Sequence, residues 1–381
     1  MVAEILRRHG PAYLRDHDVT PAQAKALRAA LACRTAALGG HLEVCQDCGG
    51  ATPAYNSCRD RHCPTCQGSQ ATAWLAGRIE RVLPTPYFHV VFTLPAPLRA
   101  IALANPRFVY DLLFEAASAT LLELAATRLK ARLGVTAVLH TWTRELGLHP
   151  HLHCVVTGGG LSLDDQTWVP CPDAFLFPVK VVGALFRGKF MAALVAAYKA
   201  GDLHFAGTSA ALAHPTAFAA TRAALYKADW VVFAKRPFGG PKQVLAYLSR
   251  YTHRVAISDA RIRAADADRV VIKTRGDRSA TMAPHEFIRR LLLHVLPRQF
   301  RKIRHYGLLA PANVNTRLVA ARASLDALGA SRRPESPIAS DVPPDPVALP
   351  LPTPRCPLCG SERLCREPLP ASARGPPRPS P

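Results

Sequence analysis

The stretch VTAVLHTWTRELGLHPHLHCVVTGGG, residues 135–160, holds two β-rich runs around a turn. Val135–Glu145 and His151–Thr157 are dense in β-branched and aromatic residues, which predicts two strands joined as a hairpin by Leu146–Pro150. The glycines Gly158–Gly160 predict the end of the second strand. Side chains alternate faces along a strand, so His151 and His153 share one face while Leu152 and Cys154 take the other. His140 precedes His151 by eleven residues. Antiparallel pairing would set it beside the other two, completing a three-histidine cation site with positions open to a substrate oxygen. His149, Glu145 and Gln243 are the alternative third ligands, and His89 reads as part of a buried strand.

Outward from this hairpin, Tyr87–Leu94 (YFHVVFTL) predicts a buried strand bounded by prolines. Asn105 is expected to cap a long helix, with Pro106 at its first position and Gly134 past its end. Trp230–Lys235 predicts another strand and Pro241–His253 a short helix. Val255–Thr274 predicts a hairpin turning near Asp266–Asp268, followed by a helix around Pro284–Val295. Strands and helices that do not alternate strictly point to an α+β fold with an antiparallel sheet. Three regions are expected: a cysteine- and histidine-rich module at 1–75, a main body at 78–318, and a disordered Pro-rich tail at 319–381.

The 381 residues include 48 Lys and Arg against 27 Asp and Glu, a net charge of +21 with a pI near 10.0. Such a balance implies a polyanionic partner, and nucleic acid fits better than a membrane surface because no stretch approaches 18 uninterrupted apolar residues. A hydrophobic share of 49% excludes a disordered chain. The start, MVAEILRR, lacks a signal-peptide pattern, so a cytoplasmic protein is expected.

The eleven cysteines are clustered, six of them between Cys33 and Cys66. Such clustering without a secretion signal points to metal and away from disulfides. Cys45/Cys48 and Cys63/Cys66 form two C-x-x-C knuckles of the kind that closes thiolates around Zn²⁺. Cys33, His41, Cys58 and His62 remain for a second site, so one or two structural zinc ions are expected. Asn56, Arg59 and Arg61 lie between the ligands, where phosphate contacts are expected. Cys356 and Cys359 lack a second pair beyond Cys365, so no further zinc is expected there.

Tyr247-Leu-Ser-Arg-Tyr251 places two phenols one helical turn apart, with Gln243 a further turn back. Tyrosines at this spacing are usually packing residues, yet this stretch is polar and basic. A phenol is a poor nucleophile at neutral pH unless a base or metal assists. With a divalent ion acting as Lewis acid on a phosphate, a tyrosine could displace a 3′-hydroxyl and hold the 5′ end. No ATP would be needed, and no G-x-x-x-x-G-K-[ST] loop occurs. Two other readings share the charge and cysteines: a zinc-finger DNA-binding regulator without catalysis, and a phosphoesterase that activates water. Metal-dependent covalent capture of DNA separates them.

At these residues the chain resembles the two-tyrosine HUH transposases of the insertion-sequence-91 family. The resembling segments are CRTAALGGH…CQDCG…YNSCRDRHCPTCQ (33–67), YFHVVFTLP (87–95), LHTWTREL…HPHLHCVVTGGG (139–160) and PFGGPKQVLAYLSRYTHRVAIS (237–258), with KIRHYGLLA (302–310) and CPLCG (356–360) extending the match. The resemblance implies a single-strand DNA endonuclease and strand transferase that drives rolling-circle transposition. It implies Mg²⁺ or Mn²⁺ on His151 and His153 with His140 as third ligand, Tyr247 and Tyr251 as nucleophiles, and a central sheet flanked by helices. Implied partners are single-stranded DNA, transposon-end hairpins and, as no helicase segment is present, host replication and helicase proteins.

Overall fold

A computed structural model describes residues 1–66, 81–171, 176–238, 256–329 and 355–369. The expected helix Pro241–His253, with Gln243, Tyr247 and Tyr251, lies outside these residues, as does most of the Pro-rich stretch.

Helices α1 (Val2–Asp16) and α2 (Pro21–Ala32) precede strands β1 (Gly40–Cys45) and β2 (Ala51–Tyr55). Strand β3 (Tyr87–Thr93) leads into helices α3 (Arg99–Ala104) and α4 (Pro106–Leu124). The long strands β4 (Ala131–Trp142) and β5 (Leu148–Ser162) follow, then β6 (Trp168–Pro170). Next come helices α5 (Val179–Ala200) and α6 (Pro215–Lys227), strand β7 (Val232–Phe238) and the meander β8 (Ile262–Ala265), β9 (Val270–Lys273) and β10 (Ser279–Met282). Helix α7 (Pro284–Leu292), strand β11 (Ile303–Gly307), helix α8 (Arg317–Ala327) and strand β12 (Leu364–Pro368) complete the described chain.

The central sheet has the order β11-β4-β5-β3-β7, with β6 added beside β5, and every pairing is antiparallel. The period of two sorts its side chains. Phe88, Val90, Phe92, Ala137, Leu139, Leu152, Cys154 and Val156 enter the main core, together with Leu113 and Phe114 of α4 and Phe186, Phe190 and Leu194 of α5. Phe92 and Phe186 meet edge to face at 4.9 Å. Helix α5 is long and apolar enough to cross a membrane, yet its Phe186, Phe190, Met191 and Leu194 are core residues. The fold is thus α+β, with α4 and α5 packed on one face of the sheet. The opposite face carries the histidines.

Three sequence expectations change. Gly134 does not stop the helix: α4 passes into a wide turn at Ala125–Leu129 and ends at Lys130, which is left-handed (φ 55°). Gly134 instead lies in β4, where a Cβ would sit 2.9 Å from Leu309 and 3.1 Å from Thr157. Gly158–Gly160 do not end β5 either. They let neighbouring backbone close in, since a Cβ on Gly160 would lie 2.5 Å from the Arg132 carbonyl oxygen and one on Gly158 2.7 Å from that of Pro86. Asn105 occupies the helix start, but its amide is spent on His204, donating to its carbonyl and accepting from its N–H, both at 2.7 Å.

A second core joins the N-terminal module to the body. Ile5, Leu6 and Leu27 of α1 and α2 pack with Cys33, Cys63, Leu146 of the β4–β5 turn, and Ile272, Phe287 and Ile288 of the meander and α7. Strand β12 pairs with β1, from His41 opposite Pro368 to Cys45 opposite Leu364. The expectation of a zinc module confined to the N-terminus is therefore corrected, because residues 355–369 complete it.

Candidate metal centre

The β4–β5 register sets His140 directly opposite His151, with His153 two residues further along the same face of β5. One nitrogen from each of the three rings lies within 4.8 Å of the others. Ring centroids are 5.5 Å apart for His140–His151, 4.5 Å for His140–His153 and 5.0 Å for His151–His153. Trp142 stacks on His140 at 4.5 Å, so the strand itself supplies a wall for that ring.

Hydrogen bonds orient the rings. His151 Nδ1 lies 2.7 Å from the His149 carbonyl oxygen, which can only accept. Nδ1 therefore carries the proton and Nε2 keeps a lone pair. His153 Nδ1 lies 2.9 Å from His89 Nε2, with the two rings parallel at 5.1 Å. Burial holds His151 down to about 4, partly offset by the His149 carbonyl. His153 is lowered well below its ordinary value by burial and then by His140, His151 and His89. Both rings are accordingly neutral at pH 7, the form that ligates metal. Three desolvated imidazoles converging on one point fit a divalent cation of intermediate softness.

Of the alternatives, His149 sits beside His151 at 5.3 Å between centroids but lies outside the three-ring cluster. Glu145 is exposed on the turn, and its carbonyl receives Arg290. Gln243, Tyr247 and Tyr251 lie outside the described residues. Sequence reasoning missed His89. Its signal was the alternation in YFHVVFTL: His89, Val91 and Thr93 share a face, and Val91 and Thr93 stand opposite His153 and His151.

The cysteines separate differently from the expected pairing. Cys33, Cys58, Cys63 and Cys66 form one cluster, and Cys45, Cys48, Cys356 and Cys359 form the other, each within 4.8 Å. The Sγ–Sγ distances of 3.4 Å (Cys33–Cys66) and 3.6 Å (Cys58–Cys66, Cys45–Cys359, Cys48–Cys356) are far from a disulfide. They approach the edge of about 3.8 Å of a tetrahedron with Zn–S bonds near 2.3 Å. Both clusters suit structural Zn²⁺. Burial pushes Cys63 up to about 11, while the backbone amides of Cys48 and Asp47 bring Cys45 down to about 6.

The two histidines expected as zinc ligands are in neither cluster. His62 Nε2 accepts from the Leu296 N–H at 3.1 Å and Nδ1 faces Asp60 at 3.2 Å, which leaves no lone pair for a metal. His41 lies 3.6 Å from Glu43 on β1. Arg61, expected on phosphate, turns inward and donates to the carbonyls of Pro297 (2.7 Å) and Phe300. Asn56 donates to the Leu38 carbonyl at 3.0 Å. Arg59 occupies a left-handed turn, φ 55°, between the ligands Cys58 and Cys63.

Comparison with known proteins fits this geometry. Residues 134–317 match a family model described as "Putative transposase", and residues 5–94 match one described as "Transposase zinc-binding domain" of the insertion-sequence-91 type. The chain is 50% identical over 319 residues to "Putative transposase y4qJ" of Sinorhizobium fredii, covering 81% of this chain and 80% of the relative. The chain belongs to the insertion-sequence-91 family of transposases. It is also 28% identical over 293 residues to the transposase for insertion sequence element IS801 of Pseudomonas savastanoi pv. phaseolicola, covering 74% of this chain and 68% of that protein. No solved structure matches it. As a transposase it acts on DNA, which its +21 charge suits. The zinc-binding match includes the first cysteine cluster, whereas Cys356 and Cys359 lie far beyond its limits.

Proposed function

We propose that this transposase nicks and rejoins single-stranded DNA at transposon ends through a 5′-phosphotyrosine intermediate, driving rolling-circle transposition. The observation that supports it most is the convergence of His140, His151 and His153 on one point of one sheet face in a chain of this family. In this reading the three rings hold a catalytic Mg²⁺ or Mn²⁺, with Mn²⁺ the better match to an all-nitrogen donor set. When bound, the cation supplies Lewis-acid polarisation of the scissile phosphate. Tyr247 and Tyr251 are the nucleophiles.

The balance is an exchange of phosphoesters. A tyrosine oxygen attacks phosphorus and gives its proton to solvent, the P–O3′ bond breaks, and O3′ takes a proton from solvent to leave as the 3′-hydroxyl. Attack of another 3′-hydroxyl reverses the step and frees the tyrosine. One ester replaces another, so no nucleotide cofactor is required. Two tyrosines let one retain a cleaved end while the second acts. The substrates in this reading are single strands and terminal hairpins, with host replication or helicase proteins exposing them. Arginine-rich surfaces would hold the backbone with strong salt dependence.

The test is a denaturing gel of protein with labelled single-stranded transposon-end DNA, with and without Mn²⁺. A metal-dependent covalent adduct that disappears in the Tyr247→Phe/Tyr251→Phe double variant is expected. Cleavage surviving the double change would point to water attack, and binding without cleavage to a regulator.

A further inference from the structure

The second cysteine cluster draws its ligands from opposite ends of the chain. Cys45 ends β1 and Cys48 lies in the turn after it, whereas Cys356 and Cys359 precede β12, more than three hundred residues later. The two tips are built alike. Gly49 N–H donates to Cys45 O at 2.9 Å, and Gly360 N–H donates to Cys356 O at 2.8 Å. Cys45 N–H donates to Gly50 O at 2.9 Å, and Cys356 N–H to Ser361 O at 2.8 Å. Both turns close on a left-handed glycine, φ 71° at Gly49 and 78° at Gly360. Each C-x-x-C-G tip therefore folds as the same knuckle, and the thiols interlock crosswise, Cys45 on Cys359 and Cys48 on Cys356, both at 3.6 Å.

Polar contacts fit the second knuckle to the first. Asp47 accepts from Arg363 at 2.7 Å and from the Ser361 hydroxyl, and Gln46 N–H donates to Arg363 O at 2.9 Å. Apolar packing is thin: Leu358 is 74% exposed, and in this segment only Cys356 and Leu369 are buried. A small strand addition with so little buried surface is marginal in water. Ion pairs at exposed positions add little. Some other interaction must fix residues 355–369 on β1, and four converging thiols supply it.

We propose that Cys45, Cys48, Cys356 and Cys359 form one zinc ribbon whose metal clasps the C-terminal segment onto β1. The site is separate from the Cys33/Cys58/Cys63/Cys66 cluster, in which Cys33, Cys63 and Cys66 are buried. Its Cys48 and Cys359 are exposed, so it yields its metal first to a chelator. When it does, β12 leaves β1 while the first cluster keeps its zinc. This inference concerns the structural cysteines alone and does not depend on the proposed tyrosine chemistry.

Zinc stoichiometry of the full chain, by mass spectrometry of the metal, tests it. Two zinc ions per chain are expected in the wild type, and one in Cys356→Ser/Cys359→Ser and in Cys45→Ser/Cys48→Ser. A second measurement needs no variant: stepwise chelation of the wild type with timed alkylation of released thiols. Loss of the first zinc should expose Cys45, Cys48, Cys356 and Cys359 together, with amide protection lost in 364–368. Two zinc ions retained in Cys356→Ser/Cys359→Ser would overturn the proposal. So would labelling of Cys356 and Cys359 in fully zinc-loaded protein, or their release without Cys45 and Cys48.

Discussion

His89 Nε2 lies 2.9 Å from His153 Nδ1, and the two rings are parallel. The contact decides what His153 can do. If His89 accepts, the His153 proton is fixed on Nδ1 and Nε2 points its lone pair toward His140 and His151. Partners of this kind typically change metal affinity by about 10–100-fold when removed. His89→Ala should therefore weaken Mn²⁺ binding by roughly that factor, and His89→Gln, whose amide oxygen can accept, should recover part of it. Titration calorimetry of zinc-loaded protein reads this directly. Unchanged affinity in His89→Ala would remove His89 from the metal centre.

His294 gives a pH dependence separate from any metal ligand. It is 3% exposed, pairs with Thr141 Oγ1 at 3.1 Å and with the Leu146 carbonyl at 3.2 Å, and is held down to about 4 chiefly by burial. The unfolded chain binds this proton near pH 6.5 and the folded chain only near 4. Its contribution is therefore complete above about 6.5 and is lost as pH falls toward 4. Between pH 7 and 5 this amounts to roughly 2 kcal/mol. His294→Gln should flatten the acid limb of a urea-unfolding series by about that amount. An unchanged limb would show that the ring titrates normally in the fold.

Two glycines should respond with opposite signs. A methyl on Gly160 meets the Arg132 carbonyl oxygen at 2.5 Å, so Gly160→Ala should destabilise by about 1–3 kcal/mol. Gly188 lies within α5, where a methyl group would meet nothing within 4 Å, so Gly188→Ala should stabilise by about 0.5–1 kcal/mol. Thermal unfolding of the two variants checks both signs.

Arg61 distinguishes a structural from a DNA-binding arginine. Its guanidinium donates to backbone carbonyls at 297 and 300, joining the first zinc cluster to the segment after α7. Arg61→Ala should lower stability by about 1–3 kcal/mol, because buried carbonyls lose a charged donor. The slope of DNA affinity against salt should stay as in the wild type, whereas loss of a phosphate contact would reduce it by about one.

The sequence made the sheet legible where side chains alternate. The runs around His140, His151 and Tyr87 are strands because their apolar residues face one core, and the same alternation groups the histidines. Local pattern failed where distant backbone decides. Gly134 and Gly158–Gly160 look like breakers, yet they stay in strands because neighbours approach too closely for a side chain. The zinc pairing was illegible for the same reason. Two adjacent C-x-x-C motifs invite a local tetrahedron, but Cys63 and Cys66 turn into the second core with Cys33, leaving Cys45 and Cys48 to partners near the chain end. His62 has ligand-like spacing, and only the fold reveals that Leu296 and Asp60 occupy both its nitrogens.

The most direct test of the three-histidine centre is Mn²⁺ binding followed by electron paramagnetic resonance on zinc-loaded protein, comparing wild type with His140→Ala, His151→Ala and His153→Ala. One bound Mn²⁺ per chain with nitrogen couplings, weakened or lost in each variant while the zinc content stays constant, is the predicted result. Mn²⁺ binding that persists unchanged in all three variants, or without nitrogen couplings in the wild type, would contradict it.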